Sequence, residues 1–264
     1  MKIVVTGHEG FIGSNLKAEL EKKYEVLGIE LRDLPNLDDI LETYKPSAIF
    51  HVGACSDTLQ QDVELMMKLN WETTTLLSDY CKKLNIPMVY SSTAAIYGDD
   101  NSKRNLYAWS KHAGEKHVTA NNQIALRYFN VYGPGEEHKG VMASIAYQSY
   151  TKHKQSTAVK LFPGQPRRDF VYVKDVVDAN LYALKNYFKL EKKYYEVGVG
   201  KAETFEYILE NLEIPFTYLG KEVVPKGYQY YTSSESMHWM KGWKPKYNLE
   251  KGLNEYKEYL CKTI

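Results

Sequence analysis

This sequence of 264 residues has few of the features that mark secreted, membrane-spanning or nucleic-acid-binding proteins. Its three cysteines are an odd number without framework spacing, which argues against a disulfide scaffold and fits a reducing cytoplasm. The 34 basic and 33 acidic residues leave a net charge of +1, so the overall charge favours neither nucleic acid nor an anionic membrane. No apolar run reaches the length of a membrane span, and no signal peptide precedes the first predicted strand.

These absences predict a globular, cytoplasmic protein that has neither nucleic acid nor a membrane as its partner. The composition is ordinary for that class, with 44% hydrophobic and 25% charged residues. A chain of this length buries roughly 70–75% of its unfolded surface, so its core needs no covalent or metal cross-links. No metal site is predicted, and the histidines are interpreted as surface or packing residues because no ligand pattern joins those at 51, 112, 117, 138 and 153.

Apolar, β-branched runs alternate with helical periodicity through the first 155 residues. Strands are predicted at residues 2–6, 25–30, 48–53, 88–92 and 124–130. Helices are predicted at about residues 12–23, 63–84, 107–120 and 141–152, and a shorter one ends at 44. This alternation predicts an α/β fold, namely a Rossmann-type doubly wound parallel sheet with right-handed crossovers. We assign residues 1–155 to an NAD(P)-binding Rossmann domain.

The pattern changes after about residue 155, where prolines interrupt the chain and tyrosines are dense. Short strands and two helices, at about 176–188 and 204–211, are predicted there. We expect residues 156–264 to form a small C-terminal α/β lobe that binds substrate, with part of 169–200 returning to the first domain. The lobe would cover the C-terminal edge of the sheet, where open α/β sheets bind their ligands.

A glycine-rich turn, Gly7-x-x-Gly10-x-x-Gly13, joins the first predicted strand to the first predicted helix. The first glycine permits a tight turn, the second lets the backbone approach a pyrophosphate, and the third allows close packing of helix on strand. The helix N-terminus adds N–H groups and a positive dipole for the phosphates. Because the glycines stand between a strand and a helix, they predict a dinucleotide site.

The end of the second predicted strand bears on the choice between NAD and NADP. Glu30 can accept hydrogen bonds from both adenosine ribose hydroxyls, which favours NAD. Arg32 follows closely, and an arginine there can hold a 2′-phosphate. Both cofactors therefore stay possible at this point, with a slight preference for NAD.

Tyr107 and Lys111 form a Tyr-x-x-x-Lys pair on one face of a predicted helix. A free tyrosine has a pKa of about 10, and the lysine together with a cationic nicotinamide would lower it. The tyrosinate could then remove an alcohol proton as hydride leaves for the cofactor. Thr93, at the end of a predicted strand, can hydrogen-bond the reacting oxygen.

A further lysine, Lys139, follows the turn Gly133-Pro134-Gly135. With the Tyr107/Lys111 pair it indicates a site with two acid/base groups. Two such groups on opposite faces of one carbon are what an epimerase needs. The competing interpretation of Lys139 is a solvated loop lysine.

The sequence resembles the extended short-chain dehydrogenase/reductases that act on nucleotide sugars, and within them the ADP-L-glycero-D-manno-heptose 6-epimerases. The resemblance covers most of the chain and is carried by residues 7–13, 51–58, 92–98, 107–111, 127–134, 137–144, 160–162 and 168–173. The glycine turn and the Tyr/Lys pair mark only the superfamily. The run His138-Lys139-Gly-x-Met-Ala-Ser144 indicates the heptose enzymes.

The resemblance implies roles for single residues. Tyr107 and Lys139 would be the two acid/base groups, Thr93 would hold the substrate hydroxyl, and Lys111 would bind the nicotinamide ribose. The other residues along the cofactor would be Phe11, Ile12, Ala54, Cys55 and Asn70. Those in contact with the nucleotide sugar would be Asn130, Phe162, Arg168 and Tyr228, with Arg168 facing the diphosphate.

The reaction that the resemblance implies is a redox detour at C6 of an ADP-heptose. Hydride leaves to give a transient ketone, the ketone rotates within the site, and hydride returns to the other face of the ketone, which regenerates NAD or NADP.

The resemblance also implies a homo-oligomer. Five apolar helix residues could belong either to its interface or to the core: Met66, Met67, Leu69, Leu76 and Leu77. The alternatives are another nucleotide-sugar epimerase, a dehydratase or a reductase on the same scaffold, or a non-catalytic dinucleotide sensor. A dehydratase usually has an acidic residue beside Thr93, where this chain has Ala94 and Ala95.

Overall fold

The computed structural model describes residues 1–98, 105–224 and 228–264. The strands formed by these residues are β1 (Lys2–Thr6), β2 (Glu25–Ile29), β3 (Ala48–His51), β4 (Met88–Thr93), β5 (Ile124–Tyr128), β6 (Asn130–Tyr132), β7 (Val159–Leu161), β8 (Arg167–Tyr172), β9 (Tyr194–Val197), β10 (Ala202–Thr204), β11 (Phe216–Tyr218) and β12 (Tyr231–Thr232). The helices are α1 (Phe11–Leu20), α2 (Leu37–Tyr44), α3 (Val63–Met67), α4 (Thr73–Leu84), α5 (Leu106–Ala120), α6 (Ile145–Lys154), α7 (Val173–Lys185), α8 (Phe205–Asn211) and α9 (Leu249–Thr263).

A parallel six-stranded sheet in the order β2-β1-β3-β4-β5-β9 forms the main layer. Its strands carry buried side chains on both faces. On β1, Ile3 and Val5 pack with Leu16 of α1, whereas Val4 packs on the other face with Leu77 of α4. Because successive strand residues point to opposite faces, a strand covered on both sides needs an unbroken apolar run. The predicted doubly wound parallel sheet is confirmed.

The chain leaves the main sheet after β5 and returns to it with β9. A second, four-stranded sheet has β8 at its centre, paired with β6, β10 and β12. Strands β6 and β8 come before β9 in the chain, and β10 and β12 come after it. Strands β7 and β11 form a parallel pair. The chain therefore crosses between the two sheets more than once, and the proposed domain limits of 1–155 and 156–264 stay a prediction.

Helix α9 is the element that the sequence analysis missed. Asn248 caps it by accepting a hydrogen bond from the Lys251 N–H at 2.8 Å. Its buried face consists of Leu249, Leu253, Tyr256 and Leu260, which recur at helical spacing. This spacing and the N-cap could have been recognised, but the tyrosines and prolines around them hid the pattern.

The helix predicted at 141–152 begins later, at Ile145. Gly140 has a φ of 54°, and Ala143 is extended, so no α-helix passes through them. The Ser144 hydroxyl then caps α6 by accepting the Tyr147 N–H at 3.2 Å. The start of the predicted helix is therefore wrong, and Lys139 lies in a loop with one short 3₁₀ segment, Glu137–Met142.

The helix predicted at 63–84 is present, with a π-helical segment, Lys68–Glu72, between α3 and α4. Among the apolar residues weighed as an interface, Met66 and Leu77 are fully buried and Leu69 lines the cavity described below. The homo-oligomer stays a prediction. Within the described part of the chain, every helix is too short or too polar to cross a membrane.

Candidate active site

The carboxyl ends of five parallel strands surround one cavity of about 300 Å³. It opens next to β1 and β3, between which the strand order reverses, the place where open α/β sheets bind ligands. Most of the predicted cofactor residues line it: Gly7, Gly10, Phe11, Ile12, Gly13, Glu30, Ala54, Tyr107 and Lys111. Lys139 lines the same cavity. The structure thus brings together both predicted acid/base groups and the glycine turn.

The glycines of the turn have no room for side chains. Gly7 has a φ of 66°, and a Cβ there would lie 2.5 Å from the Gly53 Cα of the neighbouring strand end. A Cβ on Gly13 would lie 1.9 Å from the Gly7 carbonyl oxygen. Gly10 precedes α1, so the helix N-terminus opens directly into the cavity. Residues 7–13 therefore form a bare backbone cradle that fits a dinucleotide pyrophosphate.

Two predicted cofactor residues, Cys55 and Asn70, lie behind the cavity wall. Asn70 is fully buried in the π-helical segment and its side chain bonds both backbone groups of Cys55, accepting the N–H at 2.7 Å and donating to the carbonyl at 3.0 Å. It also donates to the Ser110 hydroxyl at 3.0 Å. Asn70 therefore ties the loop after β3 to α5, and its place along the cofactor stays a prediction.

Tyr107 and Lys111 project from the first turns of α5, which Asn105 caps by accepting the Ala108 N–H at 2.8 Å. The Thr93 hydroxyl hydrogen-bonds Tyr107. Lys111 is buried, and its Nζ lies 4.2 Å from the centroid of the Tyr90 ring. The helix and the end of β4 thus bring the three residues together, and Tyr107 and Lys111 line the cavity.

The two pKa values shift in opposite directions for the same reason. Burial lowers the pKa of Lys111 to about 7, against the opposing attraction of Glu115. Burial also raises the pKa of Tyr107, while the hydrogen bond from Thr93 lowers it in part. The Tyr107/Lys111 spacing predicts that Lys111 lowers the pKa of Tyr107. In the protein alone this pKa is instead set by burial and Cys55, which raise it, and by the Thr93 hydrogen bond, which lowers it.

A buried ion pair lies behind the Tyr107/Lys111 pair. The Arg127 Nε donates to the Glu115 carboxylate at 2.8 Å, and the Ser92 hydroxyl donates to the same carboxylate at 2.7 Å. Arg127 also stacks on the Tyr194 ring, 3.5 Å from its centroid. The sequence analysis missed this network, although Glu115 follows Lys111 by one helical turn and so shares its face.

Lys139 reaches the cavity from the loop between β6 and α6. Its Nζ lies 5.3 Å from the centroid of the Phe11 ring at the start of α1. Burial lowers the pKa of Lys139, and the nearby Glu136 carboxylate opposes this shift. The Asn15 side chain donates to the Pro134 carbonyl at 2.9 Å and so docks the loop on α1. Lys139 is not the solvated loop lysine of the competing interpretation.

Three of the predicted substrate residues, Phe162 after β7, Arg168 on β8 and Tyr228 before β12, are linked through the Tyr228 ring. The rings of Phe162 and Tyr228 meet edge to face with centroids 5.1 Å apart. The Arg168 guanidinium lies 5.6 Å from the Tyr228 centroid and donates to the Arg167 carbonyl at 2.9 Å. Asn130 is exposed at the start of β6 and lies opposite Phe170 of β8, two residues along the strand from Arg168. Their contact with a nucleotide sugar stays a prediction.

The Glu30 carboxylate is held at the cavity wall. It accepts the Glu9 N–H at 2.7 Å and lies 3.2 Å from the His8 Nδ1. Arg32 is turned towards Glu9, to which its Nη1 donates at 3.0 Å. The arginine that could hold a 2′-phosphate is thus paired with a carboxylate.

Two histidines interpreted from sequence as surface or packing residues, His51 and His138, line the cavity. His51 is fully buried between the hydroxyls of Thr6 and Thr74, at 2.7 and 2.8 Å. Burial, with repulsion from Lys111, lowers the pKa of His51 to about 3, so its ring is neutral. His51 is the last residue of β3, whereas the predicted strand continues to residue 53. Within residues 1–98, 105–224 and 228–264, no cluster of three or more His, Cys, Asp or Glu side chains could hold a metal ion.

Residues 3–198 match the sequence model of the NAD dependent epimerase/dehydratase family. The chain belongs to this family. The predictions of an extended short-chain dehydrogenase/reductase, of an enzyme in the epimerase class and of a nicotinamide dinucleotide cofactor are thereby confirmed at the level of the family.

Solved structures with the same architecture include the ADP-L-glycero-D-manno-heptose-6-epimerase of Helicobacter pylori. It is 28% identical, with a TM-score of 0.84 over 98% of this chain and 96% of that one. The UDP-glucose 4-epimerase of Thermotoga maritima, solved with UDP-glucose, is 24% identical with a TM-score of 0.87 over 100% and 99% of the two chains. The UDP-glucose 4-epimerase of Thermus thermophilus, in complex with NAD, is 22% identical with a TM-score of 0.83 over 100% of each chain. The last two likenesses establish the fold alone.

Proposed function

We propose that this protein is an NAD(P)-dependent nucleotide-sugar epimerase that inverts C6 of ADP-D-glycero-D-manno-heptose. One observation carries the proposal: Tyr107 and Lys139 line the same cavity, although they come from a helix and from a distant loop. A plain dehydrogenase needs only the first of these groups. The similarity to the Helicobacter pylori heptose epimerase supports the choice of sugar.

The residues present fit a dinucleotide. The Gly7–Gly13 cradle would hold the pyrophosphate, Glu30 the adenosine ribose, and Lys111 the nicotinamide ribose. When bound, the cofactor supplies a hydride acceptor and returns the hydride later in the turnover. Because Arg32 is already paired with Glu9, we favour NAD over NADP.

Tyr107 and Lys139 would share the proton transfers. Tyr107, held by Thr93, would remove the C6 hydroxyl proton from one epimer, and the sugar would become a ketone. Once the ketone has turned over, Lys139 would donate a proton to its oxygen as hydride arrives on the opposite face. In the reverse direction the two residues exchange roles. Each group must be able both to gain and to lose a proton during turnover. Burial lowers the pKa of Lys139, which makes its neutral form easier to reach.

The burial that raises the pKa of Tyr107 sets a condition on this mechanism. A lowering by ~3 pKa units corresponds to about 4 kcal/mol of preference for the tyrosinate. Lys111 has a pKa of about 7 and is only partly charged at neutral pH. The positive charge of the oxidised nicotinamide would therefore provide much of the stabilisation, so that Tyr107 becomes a base only when the cofactor is ready to accept hydride.

For the nucleotide sugar, the proposal uses the cluster of Phe162, Arg168 and Tyr228. An arginine fork suits a diphosphate because it donates charge-assisted hydrogen bonds in a fixed geometry. The Arg168 guanidinium lies against the Tyr228 ring, and the Arg168 backbone is part of β8. Asn130, on the neighbouring strand, is proposed as a further polar contact.

The test is to incubate the purified protein with ADP-D-glycero-D-manno-heptose, without added cofactor, and to look for the C6 epimer. Product is expected without net consumption of NAD(P)H. Protein that carries bound NAD(P) but gives no epimer would contradict the heptose assignment, and a parallel incubation with UDP-glucose would then test a C4 epimerase. Stoichiometric consumption of NADPH would identify a reductase, and a product lacking one water a dehydratase.

A matched pair of variants tests the second acid/base group. Lys139→Met should lower the rate of inversion by about 10²–10⁴-fold, whereas a change at the exposed α6 residue Lys152, Lys152→Met, should leave it unchanged. Full epimerase activity in Lys139→Met would refute the role of Lys139.

A further inference from the structure

A buried carboxylate, Glu136, closes the loop that carries Lys139. It is fully buried and accepts hydrogen bonds from both ends of the loop. At the first end the donor is the Gly133 N–H, at 3.1 Å. At the other end the donors are the Ser144 N–H and the Ser144 hydroxyl, the latter at 2.7 Å. Within the loop, the Lys139 N–H donates to the Glu136 carbonyl at 3.0 Å.

The remaining partner of this carboxylate comes from the far end of the chain. The hydroxyl of Tyr256, on α9, donates to Glu136 at 2.9 Å. Tyr256 is itself fully buried, with its ring centroid 6.0 Å from that of Tyr132. One turn later, the Tyr259 hydroxyl donates to Glu137 at 2.7 Å. Helix α9 therefore contacts two consecutive residues of the Lys139 loop through two tyrosine hydroxyls.

The loop needs such support because it contains three glycines, which lose more backbone freedom on folding than other residues. Gly133, Gly135 and Gly140 all have positive φ. Glycine adopts this region without steric strain, but it can adopt many other conformations as easily. Such a segment loses much conformational entropy when it is ordered, so other parts of the protein must hold it. Asn15 of α1 does so on the cofactor side, and α9 on the opposite side.

We propose that Glu136 and Tyr256 are positioning residues that hold the Lys139 loop, so that α9 sets the place of the second acid/base group. The contacts alone support the holding of the loop by these two residues. The effect of that hold on catalysis rests on the proposed function. A carboxylate suits this place because every group facing it is a donor. A glutamine would present its amide N–H groups to those donors and lose at least one hydrogen bond.

The first measurement is amide hydrogen exchange of residues 133–144, followed by mass spectrometry. Tyr256→Phe keeps the buried ring and removes only the hydroxyl. It should speed exchange in this segment by roughly ten- to hundredfold, as expected for a lost hydrogen bond to a charged group. Glu136→Gln should act in the same direction and more strongly. The control is Tyr195→Phe, which removes a tyrosine hydroxyl that donates to the Glu191 backbone carbonyl on another part of the molecule.

The second measurement separates the two acid/base groups. Each C6 epimer of the ADP-heptose is mixed in turn with the protein that carries its bound nucleotide, and the absorbance of reduced nicotinamide is followed. Tyr256→Phe and Glu136→Gln should slow cofactor reduction by the epimer that depends on Lys139 and spare reduction by the epimer that depends on Tyr107. Lys139→Met defines the first pattern, and Tyr107→Phe the reverse.

The outcomes are separable. Unchanged exchange at 133–144 in both variants would overturn the proposal whatever the substrate is. Equal slowing with both epimers would reduce Glu136 and Tyr256 to residues of general stability and so overturn their positioning role. If the wild-type protein acts on neither epimer, the proposed function fails, and the exchange measurement still decides whether Glu136 and Tyr256 hold the loop.

Discussion

The two proposed acid/base groups, Tyr107 and Lys139, are positioned in contrasting ways. Tyr107 stands in the first turn of a capped helix, one turn from Lys111, so local helix geometry sets their relation. Lys139 stands in a glycine-rich loop, and its place depends on contacts with α1 and α9, more than 100 residues away on either side. The comparison teaches that residues with the same chemical task can be encoded locally or only through the tertiary structure.

The largest effect is expected from removing either group. Tyr107→Phe and Lys139→Met should each lower the rate of epimerisation by about 10²–10⁴-fold, the usual loss when a general acid or base is removed. Steady-state assays of both variants, with thermal unfolding to show that they are folded, provide the measurement. If one variant loses much less activity than the other, Tyr107 and Lys139 do not share the proton transfers. The two residues would then not have the same chemical task.

The ion pair behind the helix-borne group gives the next largest effect, this time on stability. Arg127→Met leaves the buried Glu115 carboxylate without its cation, which should cost about 3–5 kcal/mol of the free energy of unfolding. Denaturant titration measures it. The control is Lys174→Met, which breaks a partly exposed pair with Glu255 and should cost at most about 1 kcal/mol. Similar losses in the two variants would show that burial does not distinguish these pairs.

The pH dependence of stability sharpens the comparison at Lys111. Its pKa falls from the ordinary 10.5 to about 7 on folding, so between these values the unfolded chain binds more protons than the folded one. Stability contributed by this group therefore rises as pH increases above 7, with an upper limit of about 1.4 kcal/mol per pH unit. Denaturant titrations at pH 7, 8 and 9 should show this rise in the wild-type protein. If the Lys111→Met variant shows the same rise in stability with pH, the rise comes from other titrating groups.

The smallest effect is expected at the adenosine end of the cavity. The nucleotide released on denaturation should be NAD, because Glu30 faces the cavity and Arg32 is paired with Glu9. Glu30→Ser should weaken NAD binding by about tenfold, the equivalent of one or two hydrogen bonds, and narrow the preference over NADP. Glu21→Ser, at an exposed site at the end of α1, is the control for binding measured by calorimetry. Release of NADP instead would show that Arg32 exchanges partners.

Much of the first half could be predicted because its signals are local. The apolar runs, the glycines at 7, 10 and 13, and the Tyr107/Lys111 spacing each report on a neighbouring few residues, and the structure puts them where the pattern predicts. The rest could not be predicted because it depends on distant partners. The Asn70 amide bonds the Cys55 backbone, a contact that no pattern near Asn70 indicates. The helix predicted through Val141 fails because Gly140 takes a positive φ.

By itself, the sequence determined the parallel sheet and the glycine turn, and it pointed to the two residues that we propose as acid/base groups, because periodicity, turns and helical spacing are short-range properties of the chain. Only the tertiary structure decided that Lys139 enters the same cavity as Tyr107, that Glu115 and Arg127 lie behind Lys111, and that α9 reaches back to Glu136. Burial also decided the pKa of Tyr107 and Lys111, in opposite directions. These outcomes depend on which distant segments pack together and exclude water, and no local pattern in the chain encodes that.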